Sequence, residues 1–239
     1  PVSNGTVNIY TTSEDGKTSK KYTLKGKVES QGGGEVVKPP VPEPPKEELK
    51  VNQTTTVSGA KYKVTDVSKK TVELVSGNVN KSGKLTVDKV MVNNVECTVT
   101  SIAANGFKKS SKITSVKIGN GVKSIGKNAF ANCTKLTSVI VGSNVITIGK
   151  NAFKDCKKLK SVTIGKKVKT IDASSFSGCK LLNKLTFKGT NVKNIKGKAF
   201  KGTAKSITVK VPKSLKGKKR TDFKNKLIKA GISKNVKIK

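Results

Sequence analysis

Apolar residues recur along the chain at a fixed step, and three different positions share that step. Aliphatic residues are spaced by 23 residues from Val116 to Leu185, and Ile207 follows after 22. Five phenylalanines keep the step until the last, which follows after 24: Phe107, Phe130, Phe153, Phe176 and Phe200. Three cysteines keep it as well: Cys133, Cys156 and Cys179. Agreement of three position sets at one period indicates an internal repeat that folds as a solenoid.

Each repeat contains two short apolar motifs and a large anchor. In the unit LTSVIVGSNVITIGKNAFKDCKK, the spacing L-x-x-V-x-V predicts a short strand, V-x-x-I predicts a second inward-facing segment, and N-A-F supplies a buried phenylalanine. A unit of this size cannot bury these residues alone, whereas stacked units bury them as one column. We therefore predict a ladder of short parallel strands, about 4.8 Å apart, with about five rungs.

This pattern resembles the BspA-type leucine-rich repeat, from Val99 to Val209. The fourth unit departs from it, because Lys196 replaces the glycine and Thr203 replaces the cysteine. The preceding segment, 50–98, resembles the β-rich N-terminal cap of that family. The resemblance implies a secreted or surface-attached bacterial protein that acts without catalysis in adhesion, protein–protein binding or host contact. It also implies an extracellular or cell-surface location.

Five of the seven prolines lie close together and predict a Gly/Pro-rich linker over 32–49: Pro39, Pro40, Pro42, Pro44 and Pro45. An ordered loop is the alternative. Before it, two alternating runs flank Glu14-Asp15-Gly16 and predict a hairpin, the remnant (1–31) of a preceding module; this run resembles the end of a cadherin-like β-sandwich. The chain begins at Pro1 without a signal-like segment, so we expect a fragment or processed form.

The residues after the repeats, 210–239, predict a C-terminal cap for the repeat domain 50–239. Phe223 and Leu227 are four residues apart, with Thr221 as a candidate N-cap and Gly231 just past the end, which predicts a helix over 221–230. The final NVKIK could add one more strand. Such a cap would cover the apolar end of the stack.

The residue composition argues against an enzyme. The chain has no histidine, which removes His-dependent nucleophilic catalysis and His-ligated metals. From Cys97 onward the acidic residues are Asp155, Asp172 and Asp222, and their places in the repeat differ, so no facing carboxylate pair is predicted. We expect no catalytic residue, no metal and no cofactor. The sequence contains no apolar stretch of about 18 residues, so we predict no membrane span.

The periodic cysteines favour a structural interpretation. Their position in the repeat holds Ser110 in the preceding unit and Thr203 in the last, which indicates a small, nearly buried side chain. Equivalent residues of stacked units point the same way, which suits a ladder better than disulfide geometry. A disulfide or a three-cysteine metal site remains an alternative, and Cys97 has no periodic partner.

The net charge of +36 arises from 50 basic and 14 acidic residues, and +32 of it lies from Cys97 to Lys239. One interpretation is a solvated, soluble exterior. The other is attraction to polyanions such as glycosaminoglycans, cell-wall polymers or nucleic acid, which would depend steeply on salt. Sequence-specific DNA binding is not expected, because proteins that recognise base sequence favour arginine. The chain contains a single arginine, Arg220.

The outward positions of the strand motif form the candidate concave binding face. They carry lysine, isoleucine and asparagine among hydroxyl residues, although threonine is also simply a good strand residue. The candidate residues are Lys117, Thr137, Ile140, Lys160, Thr163, Asn183, Lys184, Thr186, Lys205 and Thr208. A structural spacer without a ligand is the remaining alternative.

Overall fold

The computed structural model describes residues 3–12, 19–28, 48–77 and 82–239. The chain forms two compact units, Pro1–Pro44 and Pro45–Lys239. In the first unit, β1 (Ser3–Thr12) pairs antiparallel with β2 (Ser19–Val28). The predicted Asp15-Gly16 turn and all but the last two residues of the predicted linker lie outside the described residues, so the division into 1–31, 32–49 and 50–239 stays a prediction.

The second unit begins with a β-rich cap. β3 (Thr54–Val57), β4 (Ala60–Asp66) and β5 (Thr71–Gly77) pair antiparallel in chain order. After β6 (Lys84–Val87), β7 (Lys89–Val92) pairs antiparallel with β8 (Val95–Ile102), and β8 also pairs parallel with β5. The cap therefore connects an antiparallel meander to the first parallel rung.

Two parallel ladders follow, because each repeat supplies one strand to each. The first ladder starts at β6 and continues through β9 (Ser115–Ile118), β11 (Ser138–Ile140), β13 (Ser161–Ile164), β15 (Lys184–Phe187), β17 (Thr208–Lys210) and β18 (Lys237–Ile238). The second starts at β8 and continues through β10 (Ser124–Ile125), β12 (Thr147–Ile148), β14 (Thr170–Ile171) and β16 (Asn194–Ile195). The solenoid fold is confirmed, with about six turns instead of about five rungs.

The register of the last rung differs from the sequence prediction. Leu185 pairs with Val209, 24 residues later, and not with Ile207. The extra residue of the fourth unit lies between the two ladders, since Ile164 pairs with Phe187 at a step of 23 while Ile171 pairs with Ile195 at a step of 24. Ile207 instead lies just before β17 and is buried.

The phenylalanines form a continuous stack through the core. Successive ring centroids, from Phe107 to Phe200, are 5.2–5.4 Å apart and the rings lie within 3–7° of parallel. Four of the five rings, from Phe130 to Phe200, are fully buried. The stacked rings pack each unit against the next, as the contacts between neighbouring units do in repeat proteins.

A C-terminal helix, α1 (Gly217–Lys229), caps the stack with Phe223 and Leu227. Phe223 meets Phe187 edge-on at 5.0 Å. The predicted N-cap, Thr221, is wrong: the helix begins four residues earlier, because Lys218, Lys219 and Arg220 are good helix formers. Arg220 then donates a hydrogen bond to the Ile238 carbonyl oxygen of β18 at 2.7 Å.

Candidate functional site

The outer surface of the first ladder consists of two columns of side chains, one residue from each strand in each column. We call this surface the ladder face. The first column contains Lys84, Ser115, Ser138, Ser161, Lys184, Thr208 and Lys237. The second contains Thr86, Lys117, Ile140, Thr163, Thr186 and Lys210, and Lys239 extends it because its amide donates to the Val209 carbonyl oxygen. The residues between the columns point inward and are buried, for example Val139 and Val162.

The structure brings six of the ten predicted face residues into these two columns. Lys117, Ile140, Thr163 and Thr186 share the second column, and Lys184 and Thr208 share the first. They form one surface because strand alternation puts every second side chain on the same side.

Three further predicted residues, Thr137, Lys160 and Asn183, lie directly before the strands and continue the ladder. The Lys160 amide donates to the Thr137 carbonyl oxygen, and the Asn183 amide to that of Lys160. The Thr137 hydroxyl donates to the Thr114 carbonyl oxygen at 2.9 Å, so this donor is already used within the fold.

Lys205 is the exception, because it lies in an exposed bend before β17 and outside the columns. Its assignment to the face followed from the 22-residue step to Ile207, which the register corrects. Lys210, Lys237 and Lys239 were missed. The 24-residue step of the last phenylalanine gave the signal for Lys210, and the alternation of NVKIK gave it for the other two.

A groove of about 600 Å³ occupies the C-terminal half of the ladder face. Its polar lining consists of hydroxyls, one amide and three ammonium groups, and it contains no acidic side chain among the described residues. The polar lining residues are Ser161, Thr163, Asn183, Lys184, Thr186, Ser206, Thr208, Lys210 and Lys239. An acceptor-rich or anionic group therefore finds donors throughout the groove.

The ladder face has an apolar feature next to the groove. Ile140 is 49% exposed, in the column that elsewhere carries threonine and lysine. It separates Lys117 from the cations at the C-terminal end. The face thus has an apolar centre, a hydroxyl-rich groove and, at its C-terminal end, a cationic end. The cationic end consists of Lys184, Lys210, Lys237 and Lys239.

A second groove, of about 450 Å³, lies on the outer side of the second ladder, beside Lys123, Ile146 and Asn120. The Asn120 side-chain oxygen accepts a hydrogen bond from the Ser143 amide, and its backbone oxygen accepts one from Asn144 Nδ2, both at 2.9 Å. These polar atoms hold neighbouring turns together, so they are less free to bind a ligand than those of the ladder face.

A model of the BspA type leucine rich repeat region matches residues 100–229 with six copies. The chain belongs to this family. Among solved structures, a T. pallidum leucine rich repeat protein is 22% identical, with 67% of this chain and 72% of that chain covered and a TM-score of 0.58. A leucine-rich repeat protein from Bacteroides capillosus ATCC 29799 is 28% identical, covers 57% of this chain and 99% of that chain, and has a TM-score of 0.52. No curated protein matches the chain.

The cysteines of this BspA-type solenoid are packing residues. Cys133, Cys156 and Cys179 are free and fully buried, and each Sγ donates to the carbonyl oxygen of a phenylalanine in the neighbouring repeat at 3.1 Å. A hydrogen bond with Cys133 and burial raise the pKa of Cys156, and burial raises the pKa of Cys179 to about 12. The Cys156 and Cys179 thiols are therefore held protonated, and protonated thiols are poor nucleophiles and poor metal ligands.

The carboxylates of the BspA-type repeats also lie apart. Asp155 lies 4.0 Å from the Lys154 ammonium, and Asp172 lies 3.3 Å from that of Lys196. Within residues 48–77 and 82–239 no three cysteine or acidic residues come together as a metal site would require. In the same part of the chain, no helix is long and apolar enough to cross a membrane.

Proposed function

We propose that this BspA-type solenoid is a non-catalytic binding module that acts at the cell surface or outside the cell, in adhesion or contact with a partner. The observation that carries the proposal is the ladder face, where a groove of about 600 Å³ lies on a backbone fixed by parallel pairing on both sides. A surface that is already ordered loses little conformational entropy on binding. The proposed location rests on membership of the BspA-type family.

The wall of the groove has the composition of a binding surface and not of a core. Thr163 and Thr186 are half-buried neighbours in the second column, and Ile140, which precedes Thr163 in that column, is half exposed. Repeat proteins use extended faces of this kind for their partners. Reversible docking on the face requires no residue to react.

The proposal is tested by blocking the groove without changing its charge. Thr163→Tyr with Thr186→Tyr places two rings in the groove, and tyrosine is favoured in strands, so the fold is kept. The matched control is Thr134→Tyr with Thr190→Tyr, two exposed residues outside the strands. Beads coated with each protein are counted on a layer of cultured epithelial cells. We expect the groove variant to reduce bead adhesion by about 10-fold, as the loss of a central contact region does, and the control to adhere like the unchanged protein.

Equal adhesion of the groove variant and its control contradicts the proposal. Adhesion of the unchanged protein no greater than that of albumin-coated beads also contradicts it and supports the spacer alternative. Circular dichroism of both variants shows whether the ladder has been kept.

A further inference from the structure

The C-terminal end of the ladder face concentrates positive charge on neighbouring strands. Lys184 and Lys237 lie in the first column on either side of Thr208, and Lys210 and Lys239 lie side by side in the second. Neighbouring strands are about 4.8 Å apart, so four ammonium groups share a region that spans three strands. Like charges on adjacent strands destabilise a sheet, which makes this arrangement costly for the fold alone.

No side-chain carboxylate among residues 48–77 and 82–239 forms an ion pair with these lysines. The ion pairs found among residues 48–77 and 82–239 are Asp66–Lys69, Lys89–Glu96, Lys154–Asp155 and Asp172–Lys196. None of these pairs includes a lysine of the cationic end. All four of those lysines are exposed, so their charges are available to a ligand.

The remainder of the groove is suited to hydroxyl groups. Ser161, Thr163, Thr186, Thr208 and the Asn183 amide line it together with the lysines. Hydroxyls and amides both donate and accept, as a sugar ring requires. No aromatic side chain lines the groove, so a base cannot be held by the stacking that single-stranded nucleic acids use.

We infer that this groove binds an anionic polysaccharide, whose sulfate or carboxylate groups meet Lys184, Lys210 and Lys239 and whose hydroxyls meet the threonines. The inference rests on the proposed function and names the ligand class of the same face. The polysaccharide lies across the strands, along the ladder, so that successive rungs supply successive charges. An acidic peptide would instead be expected to add as a strand at an open sheet edge, whereas this groove lies on the face of the sheet.

The test removes charge at the groove and, in a matched variant, elsewhere on the solenoid. The groove variant is Lys184→Gln, Lys210→Gln and Lys239→Gln. The control is Lys123→Gln, Lys169→Gln and Lys193→Gln, three exposed lysines in equivalent positions beside the second ladder. Both variants of the full chain lose the same net charge, and binding to immobilised heparin is measured at several salt concentrations.

We expect the groove variant to bind heparin about 10-fold or more weakly and with a shallower dependence on salt, because three charge contacts are gone. The control should stay within about 3-fold, since contacts outside the groove contribute only through long-range charge, which salt screens. A groove variant with arginine in place of the three lysines should retain binding, because its charge is kept.

Three results overturn the inference. One is equal weakening of the two glutamine variants, which assigns binding to the total charge. Another is elution of the unchanged protein from heparin below about 0.2 M salt, because several charge contacts give a steep salt slope. The third is that a single-stranded oligonucleotide competes for the protein as well as free heparin does at equal charge. If any of these occurs while the Thr163→Tyr, Thr186→Tyr variant loses cell adhesion, the polysaccharide inference fails and the proposed function stands.

Discussion

The phenylalanine stack and the second column of the ladder face follow the same repeat but tolerate different residues. Inside, every rung from Phe107 to Phe200 has the same ring at nearly the same spacing. Outside, the column changes from Lys117 to Ile140 to Thr163 within three rungs. Both are in register because the same backbone ladder positions them.

The difference separates the positions that determine the fold from those that vary between units. An interior position must fill a fixed volume and meet an identical neighbour, so the sequence repeats there. An outward position has only to suit a strand surface, so it is free to vary with the ligand. In this solenoid the repeat encodes the fold, and the departures from the repeat lie on the ladder face, where we propose that a partner binds.

Disruption of the phenylalanine stack, the inner column of the solenoid, should destabilise the fold more than any other change. Phe153→Ala removes a fully buried ring that stacks on Phe130 at 5.2 Å and on Phe176 at 5.3 Å. We expect the free energy of unfolding to fall by about 3–5 kcal/mol, measured by urea denaturation followed by circular dichroism. The control, Thr163→Ala in the same unit, should change it by no more than about 1 kcal/mol.

A loss below 1 kcal/mol for Phe153→Ala, or equal losses for the two variants, would contradict the separation of inner and outer columns. Because repeats unfold in units, the denaturation curve of Phe153→Ala should also become broader if the C-terminal repeats separate from the others.

The parallel ladder, the phenylalanine column and the cysteine position could be predicted from the sequence because they recur every 23 residues over most of the units. The register of β17 was not, since Ile207 and Val209 are both apolar and only the backbone pairing chooses between them. The cationic end was missed for the same reason, because Lys210 joins the face only after the register is corrected. Lys239 directly follows β18, a strand outside the repeat units, so the 23-residue period could not place it.

A second test concerns glycines that let the rungs approach. Gly165 lies where an added Cβ would overlap the backbone carbonyl of Gly142, whereas Gly197 has open space around it. Gly165→Ala should lower the free energy of unfolding by about 1–3 kcal/mol, because ladder pairing prevents the backbone from moving away. Gly197→Ala should leave it unchanged or raise it by up to about 1 kcal/mol.

Both changes are measured by the same urea denaturation. A Gly165→Ala protein as stable as the Gly197→Ala protein would show that the rungs can separate locally. The inner surface would then be less constrained than the uniform phenylalanine spacing indicates.

Ionisation of the buried Cys179 thiol should have the weakest effect on stability, and only at high pH. The Cys179 thiol has its pKa raised from 9.0 to about 12 by burial, so between these values the unfolded chain loses its proton while the folded chain keeps it. The unfolded state is then favoured, and the contribution of this thiol to stability falls as pH rises above 9.

Cys179→Ser removes the titration and should itself cost about 1 kcal/mol at pH 7, since the hydroxyl still has the Phe153 carbonyl oxygen to donate to. From pH 7 to pH 10, we expect the difference in unfolding free energy between the unchanged protein and Cys179→Ser to move by about 1.4 kcal/mol in favour of the variant. Thr163→Ser, on the ladder face, should show no such pH-dependent difference, because neither residue titrates. A difference that stays constant for Cys179→Ser would mean that this cysteine ionises as readily in the folded solenoid as in the unfolded chain, which the buried inner column does not allow.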